Sequence, residues 1–387
     1  MPSQSTGRLG KYILDSFHLL HSEAATGWGG QEIRIYQESQ ALIKRGYQVS
    51  VITQPGSPLA LKCAELNHPK LSVYPVAMTA SWSLFDFLSI YRIIKRIKPD
   101  IVHTHSSIDS WLVSFCGKAL NLPIVRSRHV SIPVKNYFPK NVVYSYFPDK
   151  IIASGETTRK MMANISGVED INTFSVPAGV DMERFNLKIS PKKFKEEIKQ
   201  NPNHPLIGKI GVIRGWKGHD YFLEAAPIIL KKYPDARFVI AGSGPGFDEI
   251  SRKLNERDLD KAIYMLGHRE DIPEIIAALD VLVLASIGGE ATSQVIPQAF
   301  AMKTPVVGTR AGGIPEILGN GDRGLIAEPK DGSDLAEKII TLLKNPEMSK
   351  NLSEKAYAFC KETLTFESHI DKTLEVYQKA LEGCKLK

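Results

Sequence analysis

Residues 280–309 read Asp280-Val-Leu-Val-Leu-Ala-Ser-Ile-Gly-Gly-Glu290-Ala-Thr-Ser-Gln-Val-Ile-Pro-Gln-Ala-Phe300-Ala-Met-Lys-Thr-Pro-Val-Val-Gly-Thr309. Asp280 to Leu284 is an apolar run of buried-strand length, and Val306-Val-Gly-Thr309 is another. Gln294 to Met302 between them reads as helix. Strand, polar loop, helix and strand in that order form a unit of a parallel α/β sheet. The loop places one carboxylate, Glu290, at the C-terminal end of a strand. Thr292, Ser293 and Gln294 follow where the helix begins. Ligands of open α/β sheets sit at such strand ends, and helix N-termini favour anions. A phosphorylated ligand facing Glu290 is therefore expected.

Outward from this stretch the same alternation fills the chain. Tyr12-Ile-Leu14 is read as the first strand. The Gly-rich loop Gly27-Trp-Gly-Gly30 and a helix from Gln31 to Arg45 follow, with Gly46 as its stop. Strands are expected at Val49–Thr53, Asp100–His105, Pro123–His129, Lys150–Ser154 and Thr173–Pro177. An amphipathic helix is expected over Leu84–Lys98, with Arg92, Lys95, Arg96 and Lys98 outward. Lys188 to His204 is polar and lysine-rich and serves as a linker. A second series starts at Gly208–Ile213 and continues through Arg237–Ala241, Ile263–Leu266 and Leu325–Ala327. Three helices fill the chain from Ser333 onward. The fold class is α/β, with doubly wound parallel sheets in two domains. Boundaries are set at 1–185, 186–205 for the linker and 206–365, with a terminal helix at 366–387 that reaches back to the first domain.

The 387 residues suit two cores of ordinary size. No apolar run approaches the roughly 20 residues of a membrane-spanning helix, and Met1 to Lys11 lacks a signal peptide's apolar core. The expected location is the cytoplasm, including its membrane face. The four cysteines (Cys63, Cys116, Cys360, Cys384) are scattered and form no CxxC pair, which argues against a zinc or disulfide framework. The net charge is +7 and uneven. Residues 1–185 hold 20 Lys and Arg against 14 Asp and Glu, and the remainder holds 29 against 28. A basic first half suits a phosphorylated acceptor, an anionic membrane surface or nucleic acid, or is a solvated surface without a partner.

Four loops of the second half follow strands and so share one sheet edge. They carry Arg214 and Lys217, then Gly242-Ser243-Gly244, then His268 and Arg269, then Glu290. Two cations three residues apart suit a diphosphate and would stabilise charge on a departing phosphate. Gly242-Ser-Gly-Pro-Gly246 lacks the spacing of a dinucleotide fingerprint. It reads as a turn over a phosphate or as a plain strand-to-helix turn. In the first half, Gly29-Gly30 before a helix leaves room for a phosphate to approach the backbone. His129, at a strand end, is placed to meet a sugar hydroxyl or the reacting centre. His103 and His105 alternate on a strand, so they are expected on opposite faces and not as joint metal ligands. Asp258-Leu-Asp260 has the letters of a metal-binding motif but sits in a charged turn, and no metal is expected.

Taken together these residues resemble the retaining, nucleotide-sugar-dependent glycosyltransferases of family 4, and the resemblance spans nearly the whole chain. It rests on Gly29-Gly-Gln-Glu32, Asp100-Ile-Val-His-Thr-His105 and Pro177-Ala-Gly-Val-Asp181 with Phe185. In the second half it rests on Arg214…Lys217-Gly218, Gly242-Ser-Gly-Pro245, Asp280–Ser286, the Glu290 stretch, and Thr304-Pro-Val-Val…Gly312-Gly-Ile-Pro-Glu316. It implies the GT-B fold, two Rossmann-like domains facing a cleft that closes over the donor. It implies an E-x7-E motif whose first acid is Glu290, on the donor sugar. The second position, for ribose hydroxyls, is Gln298, and the usual Gly-Phe-Gly is Ala291-Thr292-Ser293 here. Gln still accepts and donates but loses the charge-assisted bond.

By the same resemblance Arg214 and Lys217 hold the diphosphate, and His129 lies beside the sugar. The Gly29-Gly30 loop approaches the phosphates, Gly242-Ser243-Gly244 belong to the donor-binding set, His268 and Arg269 hold the base, and Thr292, Ser293 and Gln294 contact sugar and diphosphate. The implied reaction is metal-independent hexosyl transfer from a UDP- or GDP-sugar to a glycan or glycolipid hydroxyl, as in bacterial surface polysaccharide synthesis. Its implied partners are the nucleotide sugar, that acceptor and an anionic membrane surface, with no cofactor and no nucleic acid. The alternatives are a GT-B sugar-nucleotide 2-epimerase and a non-catalytic nucleotide-sugar-binding protein.

Overall fold

The computed structural model describes residues 16–385. The sequence-predicted strand at Tyr12–Leu14 lies outside them. Among the described residues the first strand is β1 (His18–Glu23), followed by β2 (Gln48–Thr53), β3 (Leu71–Pro75), β4 (Ile101–Thr104), β5 (Ile124–Arg128), β6 (Lys150–Ala153) and β7 (Thr173–Ser175). A second series comprises β8 (Leu206–Ile210), β9 (Arg237–Ala241), β10 (Ile263–Gly267), β11 (Val281–Leu284), β12 (Val306–Thr309) and β13 (Leu325–Ala327). The strand orders are β3-β2-β1-β4-β5-β6-β7 and β10-β9-β8-β11-β12-β13. The registered pairs within them are parallel. Both orders are doubly wound: the chain works outward from a central strand, then restarts beside it on the other side.

Two compact units form. One holds the chain up to Ser127, Val142–Lys150 and the chain from Leu374, and the other holds Arg128–Asn141 and Ile151–Thr373. In the second unit the strands are near-continuous apolar runs because helices cover both faces of a parallel sheet. Val239, Leu282 and Val306 face one layer with Phe300, Ile314 and Leu364. Phe238, Val281 and Val307 face the other with Phe222, Leu335 and Ile339. The expected linker carries a helix, Lys192–Glu197, anchored by the buried Phe194.

The first unit buries much polar matter. All six residues of β1 are buried, among them His18, His21, Ser22 and Glu23. Each polar side chain finds a partner. His18 Nε2 meets Ser50 Oγ at 2.8 Å, His21 Nδ1 meets His105 Nε2 at 2.9 Å, and Ser22 donates to Asp109 at 2.8 Å. Glu23 accepts from the Ala25 amide at 2.7 Å and from Gln31. Burial and the nearby Asp109 carboxylate push Glu23 up to about 7, while burial pushes His21 down to about 4.

His103 and His105 correct the sequence reading. Their ring centroids lie 4.0 Å apart, and both nitrogens-bearing rings cluster with His21. The strand ends at Thr104, so His105 has left the pleat and its alternation no longer holds. His103 is itself bonded at both ends, Nδ1 to Tyr377 Oη at 2.7 Å and Nε2 to Ser127 Oγ at 2.8 Å. Tyr377 belongs to the last helix, Phe366–Lys385, and is fully buried.

Replacing Tyr377 with Phe keeps the ring and deletes one buried hydrogen bond. The expected cost is about 1–2 kcal/mol, read as a lower urea midpoint by circular dichroism. An unchanged midpoint would show that this bond does not hold the terminal helix.

Candidate functional site

The order β9-β8-β11-β12 puts a topological switch point between β8 and β11 of the second unit, the place where open α/β sheets bind ligands. The loops after these two strands carry Lys217 and Glu290. They meet there, with Lys217 Nζ 2.7 Å from Glu290 Oε1 and 2.8 Å from Oε2. Glu290 is 3% exposed. A carboxylate so buried requires a counter-ion within bonding distance, and Lys217 supplies it. Lys217 also lies over the Trp216 ring, 4.6 Å from its centroid.

The backbone fixes this meeting. Ile287 N donates to Trp216 O at 2.9 Å, which joins the two loops. Gly218, with φ +67°, ends the Lys217 turn and starts the helix His219–Lys232. A Cβ there would lie 1.8 Å from Ala285 O, so only glycine lets the loops approach this closely. On the far side Gly313 N donates to Glu290 O at 2.9 Å, and a Cβ on Gly313 would lie 1.9 Å from Ala291 O. Within the same unit Val130 bridges Glu290 antiparallel, Ser131 N donates to Gly289 O, and Ser131 Oγ donates to Glu290 O at 2.5 Å. His129 directly precedes this bridge, so its segment runs alongside the Glu290 loop.

The other expected residues fall around this centre. Arg214 is exposed and extended, opening the turn Gly215–Lys217. The Gly242-Ser243-Gly244 loop packs on the end of β8, with Ser243 O accepting from Ile213 N at 2.9 Å. Thr292 donates to Ser154 O, Ser293 is buried, and Gln294 and Gln298 are half-buried at the helix Val295–Ala301. His268 is exposed after β10. Its neighbour Arg269 is held by Glu197 through two bonds of 2.7 and 2.8 Å and by Asp271, over the Phe194 ring. This arrangement ties the β10 loop to the linker helix. In the first unit, Gly29 caps the helix Gly30–Lys44, and its amide donates to Glu32 Oε2 at 2.8 Å.

Three residues escaped the sequence reading. Glu316 accepts from the amides of Glu156 and Thr157 and from the Thr157 hydroxyl at 2.8–2.9 Å, which caps the helix Glu156–Ala163. Lys209, in the middle of β8, is 4% exposed and donates to Lys217 O at 2.8 Å. A lysine inside an apolar strand was the available signal for it. Burial pushes its ammonium from 10.5 down to about 7, aided by the like charge of Lys217 and opposed by Glu290. His219 is buried beside this cluster without a hydrogen-bond partner for either ring nitrogen among the described residues. Burial, Lys209 and Lys217 push it down to about 2, so it stays a neutral imidazole.

A buried carboxylate bridged to an ammonium, with Arg214 in the same loop, can hold hydroxyls at one end and a diphosphate at the other. Two family models match the chain: "Glycosyltransferase Family 4" over residues 28–184 and "Glycosyl transferases group 1" over residues 191–359. The chain is 23% identical over 373 residues to the N-acetyl-alpha-D-glucosaminyl L-malate synthase of Bacillus anthracis, covering 92% of this chain and 96% of that protein. It is 26% identical over 339 residues to the UDP-Gal:alpha-D-GlcNAc-diphosphoundecaprenol alpha-1,3-galactosyltransferase of Escherichia coli, covering 82% and 87%. The crystal structure of Anabaena Alr3699/HepE in complex with UDP-glucose superposes with a TM-score of 0.80 at 17% identity, covering 96% of this chain and all of that one.

Two outcomes test this geometry. Gly313→Ala should cost about 1–3 kcal/mol of stability, the price of overpacking against a backbone carbonyl, and should lower activity because the Glu290 loop must shift. A melting point equal to the wild type's would sink the close-approach argument. For Lys209, the unfolded chain binds the extra proton between about pH 7 and 10.5. The stability of the wild type relative to Lys209→Met should therefore rise with pH across that window, by at most about 1.4 kcal/mol per pH unit. A pH-independent difference in urea titrations would show that Lys209 titrates normally.

Proposed function

Because this chain belongs to the family 4 (group 1) glycosyltransferases and has the GT-B fold of two parallel Rossmann-like sheets, we propose that its Lys217–Glu290 pair is the donor end of a sugar-transfer site. As a member of that family it is a nucleotide-sugar glycosyltransferase of glycan or glycolipid synthesis. The observation that carries the residue assignment is the Lys217–Glu290 contact at the switch point.

In this reading Glu290 accepts hydrogen bonds from donor-sugar hydroxyls, and Lys217 and Arg214 take up the charge that grows on the leaving diphosphate. These two cations stand where other transferases use a metal ion, and activity should survive EDTA. His129 meets the sugar from the segment that bridges Glu290. Glu316, an acid of a neighbouring loop, is occupied by the amides of Glu156 and Thr157, so it does not serve as a second carboxylate for the sugar. A covalent double displacement is thus not favoured. Transfer proceeds on the front face with retention, the leaving phosphate drawing the acceptor's proton. Gln298 takes the ribose end, and His268 the base.

The donor is a UDP-sugar, as the names of the E. coli relative and the Anabaena complex support for those proteins. The acceptor is a lipid-linked glycan of bacterial surface polysaccharide synthesis, which the E. coli relative's diphosphoundecaprenol substrate supports.

Incubation with UDP-glucose, UDP-galactose and UDP-N-acetylglucosamine separates the readings. Slow hydrolysis with the α-anomer released first supports a retaining transferase. An isomerised nucleotide sugar would make the chain an epimerase, and binding without turnover a non-catalytic binder. Glu290→Ala should cut turnover by a factor on the order of 10²–10³ while leaving the affinity for bare UDP nearly unchanged. Wild-type turnover in that variant would remove Glu290 from the site.

A further inference from the structure

The helix Leu84–Ile97 of the first unit turns an unusual face to solvent. Leu84, Phe85 and Leu88 are 66%, 85% and 37% exposed, and Trp82 just before them is 71% exposed. Farther along the same stripe, at spacings of three and four, come the exposed Arg92, Lys95 and Arg96. The helix's one acid, Asp86, is turned inward, where it accepts from the Thr79 amide and hydroxyl at 2.8 and 2.9 Å. The outer face is therefore apolar at one end, cationic at the other, and free of acids.

Neighbouring elements of the same unit extend the apolar end. Trp82 touches Trp111, Trp111 touches Phe147, and Phe147 touches both Tyr146 and Phe115, with ring centroids 4.7–6.1 Å apart. Phe115 and Tyr146 are themselves 54% and 71% exposed. Scattered exposed apolar residues are ordinary, but a connected aromatic set of this kind marks an interaction surface.

We propose that this face docks the first unit on an anionic lipid bilayer. Trp82, Leu84 and Phe85 enter the headgroup boundary, where aromatic side chains partition well, and Arg92, Lys95 and Arg96 lie over acidic headgroups. An aromatic edge continuous with a cationic row matches the layered polarity of a bilayer surface, acidic headgroups over an apolar interior. The charge pattern favours the lipid surface. In giving this face a purpose, the inference rests on the lipid-linked acceptor proposed above, since docking would bring the enzyme to a substrate confined to that surface.

The test uses the full chain and sedimentation with vesicles of phosphatidylcholine alone or mixed equally with phosphatidylglycerol. Wild-type protein should pellet with the mixed vesicles, at least tenfold less with neutral ones, and should be released by about 0.5 M NaCl, which shortens the screening length severalfold. The double variant Trp82→Ser/Phe85→Ser and the triple variant Arg92→Glu/Lys95→Glu/Arg96→Glu should each lose at least tenfold in binding, with unchanged melting points and unchanged hydrolysis of UDP-sugar in solution. Protein that stays in the supernatant, or binds both vesicles equally, overturns the proposal. So does a dimer in solution that the double variant renders monomeric, since a second copy would then cover the face. Turnover without vesicle binding removes the docking surface and keeps the transferase, whereas vesicle binding without turnover does the reverse.

Discussion

The contact between Lys217 and Glu290 is the constraint on which the second unit's binding edge depends. It joins loops that leave adjacent strands at the switch point, and it neutralises a carboxylate that has almost no contact with water. Breaking such a pair by removing one partner is costly because the other charge stays buried. The neighbourhood limits that cost in a consistent way. The Lys209 ammonium is pushed toward neutrality and His219 stays uncharged, so the cluster does not accumulate positive charge beneath the pair. Lys209 adds a hydrogen bond to the Lys217 carbonyl, which holds the turn whose side chain reaches Glu290. Local backbone geometry serves the same end, since Gly218 and Gly313 bring carbonyls of the Glu290 stretch within reach of neighbouring loops.

Much of this was legible in the sequence. The second unit's strands are short apolar runs bounded by polar loops, so Arg237–Ala241, Val306–Thr309 and Leu325–Ala327 were found as they stand. The juxtaposition of Lys217 and Glu290 followed from parallel topology alone, because loops after strands of one sheet share an edge. Other features were hidden for physical reasons. The strand β1 carries His18, His21, Ser22 and Glu23, and its polar groups are matched by Ser50, His105, Asp109 and Gln31, all distant in sequence or at another turn. No local pattern announces a strand whose burial depends on partners elsewhere. For His103 and His105 the error lay in one residue of strand length, which inverts the side on which a side chain emerges.

Side-chain competition was equally invisible. Gly29 looked open to a phosphate, yet Glu32 three residues on returns to its amide. Arg269 looked available, yet Glu197 from the linker helix and Asp271 hold its guanidinium. In both cases a carboxylate that satisfies the fold takes the group that the motif assigns to the donor, to its phosphate at Gly29 and to its base at Arg269, and the reach of that carboxylate cannot be read from loop composition. Glu316 shows the converse. It belongs to a stretch recognised only for its resemblance, and it serves as a helix cap whose partners are 160 residues earlier.

The first unit distributes polarity against the usual gradient. It buries four histidines, Glu23 and Asp109 in and beside its central strands while leaving Trp82, Phe85, Phe115 and Tyr146 in water. The buried set is tolerable because it is hydrogen-bonded: an unmatched polar group would cost on the order of 1–3 kcal/mol, whereas linked groups polarise one another favourably. No such compensation reaches the exposed aromatics: Trp82 rests on Trp111, and Phe115 and Tyr146 rest on Phe147, yet each keeps a large area in solvent. Folding alone gains nothing from that exposure. A helix of the same length could keep its inward residues Ile90 and Ile94 and carry polar residues at the mostly exposed positions 84 and 85 with little loss of packing. What the apolar positions add can be realised only when something apolar meets them, and the row from Arg92 to Arg96 fixes the sign of charge which that surface must carry.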